Sequence, residues 1–282
     1  MQSLMQGTAG LQRRKFWSSM SYEIRKINDY ISYIPAEETP LSSQIGIVYG
    51  EKATYLFDVG SSLGCLEFLH GLNEPFDIVC SHFHGDHIWW LTDHKKGDEG
   101  VREDDNISIN YEKPHYRNLY VSNETKKHTL SGTVVEQPIV IYDKISVRNA
   151  ENIGNTPEGT SGDVTHNAQD AQEQNDRELK IEIIPCPSSH CKGALIMVVN
   201  DEFIFSGDST YCKGVRNGAG DERPSYNVQL LKAQLELLNS LKADKILLSH
   251  DRKFVRPKKV AIRELEAMYS KRIPGENMIY LG

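Results

Sequence analysis

One segment of the chain concentrates groups that could do chemistry. Ser81-His82-Phe83-His84-Gly85-Asp86-His87 places three histidines and an aspartate within six residues, directly after the short apolar run Phe76 to Cys80. With ten histidines in 282 residues, such a string is improbable as an accident of composition. A regular helix or strand could not turn all four side chains to one side, whereas a loop leaving a strand can. Imidazole nitrogens and a carboxylate suit zinc or another first-row metal. Four such groups crowd a single open catalytic ion. Two neighbouring ions are the natural solution, and each then needs ligands from elsewhere. Candidates stand just beyond apolar runs: His190 after Leu179 to Ile184 and the Pro185–Pro187 kink, Asp208 in Phe205-Ser206-Gly207-Asp208, and His250 after Ile246 to Leu248.

The elements that must position these residues are legible as alternating strands and helices. Ile45 to Tyr49 and Ala53 to Phe57, split by Gly50-Glu51-Lys52, predict a hairpin. Ser61 or Ser62 can cap a helix running through Leu66, Leu69 and His70. Ile88 to Asp93 reads as helical. Asn118 to Ser122, Ile139 to Tyr142, Lys144 to Val147, Leu179 to Ile184, Ala194 to Val199 and Glu202 to Phe205 read as strands. Val228, Leu231, Leu235, Leu238 and Leu241 recur at helical spacing and predict an amphipathic helix over 226–242. A last helix runs from Lys258 to Lys271 with Pro257 at its start. Strand-rich halves with helices after strands predict a layered α/β sandwich. Residues 92–118 read as a polar insertion. Residues 149–178 carry almost no apolar side chains and read as a long surface loop. Residues 1–20 read as a leader or disordered extension without an apolar signal region, and 21–282 as one domain.

Composition narrows the partners. Lys and Arg total 32 against 39 Asp and Glu, a net charge of −7. That balance argues against a non-specific nucleic-acid binder and against a polybasic membrane-surface protein. No apolar run approaches the roughly 18 residues of a spanning helix. Five cysteines without a CxxC pair argue against a zinc knuckle or a disulfide scaffold. Reduced thiols fit a cytoplasmic location. The expected partner is a small-molecule substrate, with neither nucleic acid nor membrane.

On these motifs the chain resembles the metallo-β-lactamase-fold hydrolase superfamily. The residues that carry the resemblance are Asp58 in Phe57-Asp58-Val59-Gly60, the His82–His87 string, His190, Asp208 in Ser206-Gly207-Asp208, and His250. They occur in order and span the chain from 58 to 250. The resemblance implies a four-layer αββα sandwich with a metal site at one edge between two mixed sheets. It implies that His82, His84 and His190 hold one divalent ion and that Asp86, His87 and His250 hold a second. Asp208 would bridge the two, and Asp58 would orient ligands from behind. Zinc is the expected metal, and iron and manganese accept the same groups. Two such ions would lower the pKa of a bridging water, making hydroxide available to attack a lactone, thioester or β-lactam. Asp86 would steer the nucleophile or accept a proton. Tyr211 lies at the offset from Asp208 where lactonases of this superfamily place a phenol, and is expected to hydrogen-bond a substrate carbonyl.

His87 favours the broader two-metal hydrolases, including glyoxalase II-like thioesterases and lactonases. The alternative activity is a zinc phosphodiesterase or nuclease. It rests on Arg252, Lys253, Arg256, Lys258 and Lys259 beside His250, since phosphates need cations. The His190 landmark departs from the family pattern, with Ser189 standing where glycine is usual, and so marks a divergent branch. Cys191 reads as a small packed thiol and Lys192 as a surface cation. Of Trp89 and Trp90, one is expected in the core.

Overall fold

The computed structural model of the chain describes residues 22–39, 41–51, 53–74, 76–92, 114–129, 138–147, 179–213 and 224–281. The expected leader and most of both polar insertions lie outside the described residues. In chain order, β1 (Arg25–Lys26), β2 (Ile31–Ile34), β3 (Glu37–Glu38), β4 (Leu41–Ser42), β5 (Ile45–Tyr49) and β6 (Thr54–Phe57) precede α1 (Leu63–Gly71). Next come β7 (Phe76–Val79), α2 (Gly85–Ile88), a 3-10 turn at Trp89–Leu91, β8 (Asn118–Ser122), α3 (Asn123–Thr129), β9 (Ile139–Ile141) and β10 (Ile145–Val147). Then follow β11 (Ile181–Cys186), β12 (Ala194–Val199), β13 (Phe203–Gly207), β14 (Ser225–Asn227) and α4 (Val228–Ser240). The chain closes with β15 (Lys245–Leu248), β16 (Val255–Pro257), α5 (Lys258–Tyr269) and β17 (Met278–Tyr280).

Two mixed sheets carry the architecture, ordered β1-β2-β5-β6-β7-β8-β9 and β10-β11-β12-β13-β15-β16. Their strands are apolar on both faces, as sheets covered on both sides require. In β6, Tyr55 and Phe57 face the inter-sheet core while Leu56 faces the other way. In β13, Phe203 and Phe205 face the same core and Ile204 the outer side. Leu66 and Leu69 of α1, with Trp90 and Leu91, cover the outer face of the first sheet. Leu231, Leu235 and Leu238 of α4 and Ile262 and Leu265 of α5 cover the second. The result is the expected four-layer αββα sandwich. Among the described residues no helix is long and apolar enough to cross a membrane.

Local chemistry sets the helix starts. The Ser62 hydroxyl accepts from the Cys65 amide at 3.3 Å and caps α1. Asn227 Oδ1 accepts from the Gln229 and Leu230 amides, both at 3.0 Å, and caps α4. Such caps contribute about 1 kcal/mol each. The helix expected over Ile88 to Asp93 instead begins at Gly85 and tightens into the 3-10 turn. The tightening goes with burial of Trp90, whose indole N–H donates to the Ser62 carbonyl at 3.0 Å.

The connections that matter for chemistry are parallel. β6 runs through α1 to its parallel neighbour β7, and β13 runs through α4 to its parallel neighbour β15. Parallel neighbours end at the same sheet edge, where α/β proteins place their ligands. The loops after β6, β7, β13 and β15 carry Asp58, His82 to His87, Asp208 and His250 respectively. Gly207, just before Asp208, has φ +53°. A Cβ there would lie 2.6 Å from Ser81 Cβ. Gly207→Ala is therefore expected to lower stability by about 2 kcal/mol or more in denaturant unfolding. Gly275→Ala, with φ +88° but open space around it, should cost about 1 kcal/mol. Equal small effects at both positions would contradict the close approach.

Candidate metal centre

The site is built on Asp58. This carboxylate is fully buried at the end of β6, in the left-handed region at φ 64°. It accepts the Ser81 amide on Oδ1 at 2.7 Å and the Ser81 hydroxyl on Oδ2 at 2.7 Å. It also accepts His87 Nδ1–H on Oδ2 at 2.8 Å. One carboxylate thus ties the β6 loop to both ends of the His82–His87 string. His250 takes the same unusual backbone region, at φ 62°. Each such non-glycine residue costs on the order of 1–3 kcal/mol and persists only where its surroundings over-determine it.

The partners assign the imidazole tautomers. Ser81 Oγ gives its proton to Asp58, so it accepts Nδ1–H of His82 at 2.9 Å and leaves His82 Nε2 bare toward the site. His87 donates through Nδ1 to Asp58, which turns its Nε2 toward the site. His190 Nδ1 faces the Cys212 carbonyl at 3.4 Å, which directs its Nε2 inward. His84 presents Nδ1, 2.9 Å from His82 Nε2 and 3.0 Å from His190 Nε2. Asp86 Oδ2, His87 Nε2, Asp208 Oδ2 and His250 Nε2 form a second group. Asp86 Oδ2 is 2.9 Å from His250 Nε2, and Asp208 Oδ2 is 3.3 Å from His87 Nε2. Within each group the donor atoms lie within 4.8 Å of one another. Asp208 Oδ2 also lies 3.4 Å from His190 Nε2, so it stands between the two groups.

The donor set fits divalent cations. His82 Nε2, His84 Nδ1 and His190 Nε2 converge on one point, the usual ligand atoms of a cation site, and Asp208 Oδ1 is buried with no hydrogen-bond partner. Electrostatics point the same way. Burial and the neighbouring His87 and His84 hold His82 well below the ordinary histidine range. Burial and His190 bring His84 down to about 4. Burial also lowers His190, against the pull of Asp208. Burial alone would raise Asp86, but its hydrogen bond to His250 and the nearby His87 bring it down to about 2. His87 is the exception: burial opposes its charge, yet Asp58 and Asp208 hold its pKa well above the usual value.

The seven candidate ligands of the sequence converge in two groups, His82, His84 and His190 in one and Asp86, His87, Asp208 and His250 in the other, with Asp58 beneath them. Tyr211 is placed differently. Its hydroxyl donates to the Ser249 carbonyl at 2.8 Å, and its ring lines a cavity of about 230 Å³ against α5. Lys192 is exposed and pairs with Glu124 at 3.2 Å. Cys191 is half-buried against the outer core of the second sheet. Trp90 is buried and Trp89 half-buried.

Several positioning groups carry no motif and escape sequence reasoning. Ser188 Oγ donates to the Ser209 carbonyl at 2.9 Å and accepts the His190 amide at 3.1 Å. Gln234 donates to the same Ser209 carbonyl at 2.6 Å. Ser189, at the departure from the family pattern, accepts the Asn227 amide at 2.9 Å and fastens the His190 loop to the start of α4. The polar pair Ser188-Ser189 between apolar strands is the one signal that could have flagged this loop.

The family model of the metallo-beta-lactamase superfamily matches residues 39–250, and the chain belongs to that superfamily. A metallo-beta-lactamase from Pontibacter korlensis superposes with a TM-score of 0.52 at 15% identity, over 87% of this chain and 98% of its own. DIM-1 metallo-beta-lactamase gives 0.51 at 12% identity, over 89% of this chain and 98% of its own. A point mutant of a flavo di-iron protein from Thermotoga maritima gives 0.54 at 12% identity, over 90% of this chain and 64% of its own. At these identities the likeness shows the fold. No curated protein matches the chain in sequence.

The lowered histidines set the pH response. For His82, His84 and His190 the folded pKa lies below the unfolded value of about 6.5. Their neutral forms therefore contribute stability above that pH, and it is lost as pH falls through their lowered folded values, about 4 for His84. His87, raised, works oppositely: its contribution is full below about pH 6.5 and is lost as pH rises through its folded pKa. Protons and cations compete for the same imidazole nitrogens. Metal-loaded protein taken from about pH 7.5 to about pH 3 and desalted should lose most of its metal across that interval, the last of it only as pH falls past about 4, read by elemental analysis. Full retention at about pH 3 would contradict the assignment.

Proposed function

We propose that the chain is a two-metal hydrolase of small carboxyl derivatives, with lactones, thioesters and β-lactams as the substrate class, on a glyoxalase II- or lactonase-like branch of its superfamily. The observation that carries this reading is the pair of donor groups sharing Asp208 Oδ2. His82, His84 and His190 would hold one ion, Asp86, His87 and His250 the other, and Asp208 would join them. Zinc is the favoured metal. Iron is the named alternative, because a fold neighbour is a flavo di-iron protein, and manganese suits the same ligands. The bound ions would supply Lewis acidity, polarising a substrate oxygen and making water acidic near neutral pH.

The chain's own groups do the rest. Asp58 and Ser81 fix the rings of His82 and His87 so that their Nε2 atoms face the site. Asp86, drawn down to about 2, is ionised at neutral pH and a weak base. It suits a hydrogen-bond acceptor that aligns the attacking water better than a group that keeps a proton. Tyr211 has one hydroxyl hydrogen, now given to Ser249, so donation to a substrate carbonyl requires it to leave that partner. Five free cysteines support a reducing, cytoplasmic setting.

A phosphodiesterase is the second reading, favoured by one observation. Arg256 is tied to Asp251 and Glu264, and Lys258 caps the end of α4 through the Leu238 and Leu241 carbonyls. Arg252 and Lys253 line a cavity of about 480 Å³, together with Lys26 and Lys245, which are paired with Asp29 and Glu202. Salt-sensitive binding of RNA or DNA would favour it.

The deciding experiment is a panel of lactones, thioesters, a chromogenic β-lactam and bis(p-nitrophenyl) phosphate on metal-loaded protein. At least one carboxyl substrate should be hydrolysed. Asp208→Ala and His84→Ala should each lower its kcat/KM by about 10²-fold or more while remaining folded. Full activity in either folded variant, or turnover of the phosphodiester alone, would overturn the reading.

A further inference from the structure

The peptide group that joins Ser249 to His250 is held at both of its polar atoms. Its carbonyl oxygen accepts the Tyr211 hydroxyl at 2.8 Å. Its amide, the His250 N–H, donates to Gln44 Oε1 at 2.7 Å. Gln44 Nε2 in turn donates to the Asp251 carbonyl at 3.4 Å, so both ends of one side-chain amide are used on one turn. The two anchors come from opposite sheets: Gln44 leads into β5, and Tyr211 follows β13. Gln44 is only 5% exposed.

What they hold is strained. His250 sits at φ 62°, where a side chain with a Cβ is sterically disfavoured. Released, the turn would relax toward an ordinary backbone region and swing the imidazole from its place 2.9 Å from Asp86 Oδ2. The residue before Gln44 acts on the same donor group, since the Ser43 amide donates to the Asp86 carbonyl at 2.9 Å. Ser42 Oγ accepts the Ser61 amide at 2.9 Å. The buried strap Ser42-Ser43-Gln44 therefore braces the loops after β6, β7 and β15 together.

We propose that Gln44 and Tyr211 are positioning residues that clamp the Ser249–His250 peptide and so hold His250 in register with Asp86, His87 and Asp208. The proposal rests on the two-ion reading above and assigns the Tyr211 hydroxyl a role through His250. Neither residue touches the donor atoms. Their removal should act on one ion and spare the other.

The test is a cobalt(II) titration of the full chain followed by visible absorption, with hydrogen exchange of the His250 amide measured on the metal-free protein. The wild type should take up two cobalt ions in separable steps, and His250→Ala should abolish one of them. Gln44→Leu and Tyr211→Phe should each weaken that same step about tenfold and leave the other within about twofold. Gln44→Glu keeps an acceptor facing the His250 amide and should recover affinity to within about threefold of wild type. In metal-free protein, Gln44→Leu should speed exchange of the His250 amide at least about tenfold. Tyr211→Phe, which deletes a single oxygen, carries the metal measurement should Gln44→Leu not fold. Two cobalt steps unchanged in these variants, both steps weakened equally, or an exchange rate indifferent to Gln44 would overturn the clamp. A wild type that binds fewer than two cobalt ions would instead strike the two-ion reading, and the exchange measurement would still decide the clamp.

Discussion

The arrangement depends on one buried carboxylate. Asp58 is fully enclosed, and its three partners are the Ser81 amide, the Ser81 hydroxyl and His87 Nδ1. A carboxylate so placed is tolerable only when its lone pairs are filled and a compensating charge is near. The His87 ring supplies that charge in the metal-free chain, and its raised pKa is the mark of the exchange. Because the same contact commits Nδ1, the need to satisfy Asp58 also turns Nε2 of His87 toward Asp86 and Asp208. Burial of the carboxylate and orientation of the ring therefore meet at one hydrogen bond, and the left-handed backbone at Asp58 is the strain that this bond holds in place.

Above that foundation the site is held open against its own chemistry. Three neutral imidazoles face one another, while Asp86 and Asp208 stand ionised at their side. Within this cluster Asp208 Oδ1 is left without a hydrogen-bond partner. Such a cluster survives because the loops carrying it are braced from behind. Ser188, Gln234 and the Ser42–Gln44 strap spend hydrogen bonds on the backbone of these loops, while Ser81 joins the Asp58 carboxylate to the His82 ring. The sandwich makes this possible: parallel pairs in both sheets deliver their loop ends to a common edge, and an apolar core of interlocked Phe57 and Phe205 keeps the edges in register.

The candidate ligands were legible in the primary structure because metal chemistry demands particular residue types, and four of them had to be close in sequence to share one loop. A layered α/β sandwich was legible through strand-rich halves with helices after strands and the helical spacing of Leu231, Leu235 and Leu238, and its αββα order through the family resemblance. What escaped was of two kinds. Strands of two or three residues, such as β1, β3, β4, β14 and β17, are too short to show a period and are set by their pairing partners alone. Supporting residues such as Gln44 and Ser188 act through backbone atoms of distant loops, and nothing local marks a glutamine whose partner is 206 residues away. Tyr211 illustrates the limit of an offset from a motif: the position was readable, but the direction of its hydroxyl depends on the β15 turn.

The most direct test of the account is a crystal structure of zinc-loaded protein with anomalous data collected on both sides of the zinc edge. Two anomalous peaks are expected, one among His82, His84 and His190 and one among Asp86, His87 and His250, with Asp208 reaching both. A map with no peak at this edge of the sandwich, or with the two groups drawn apart around ordinary hydrogen bonds, would contradict it.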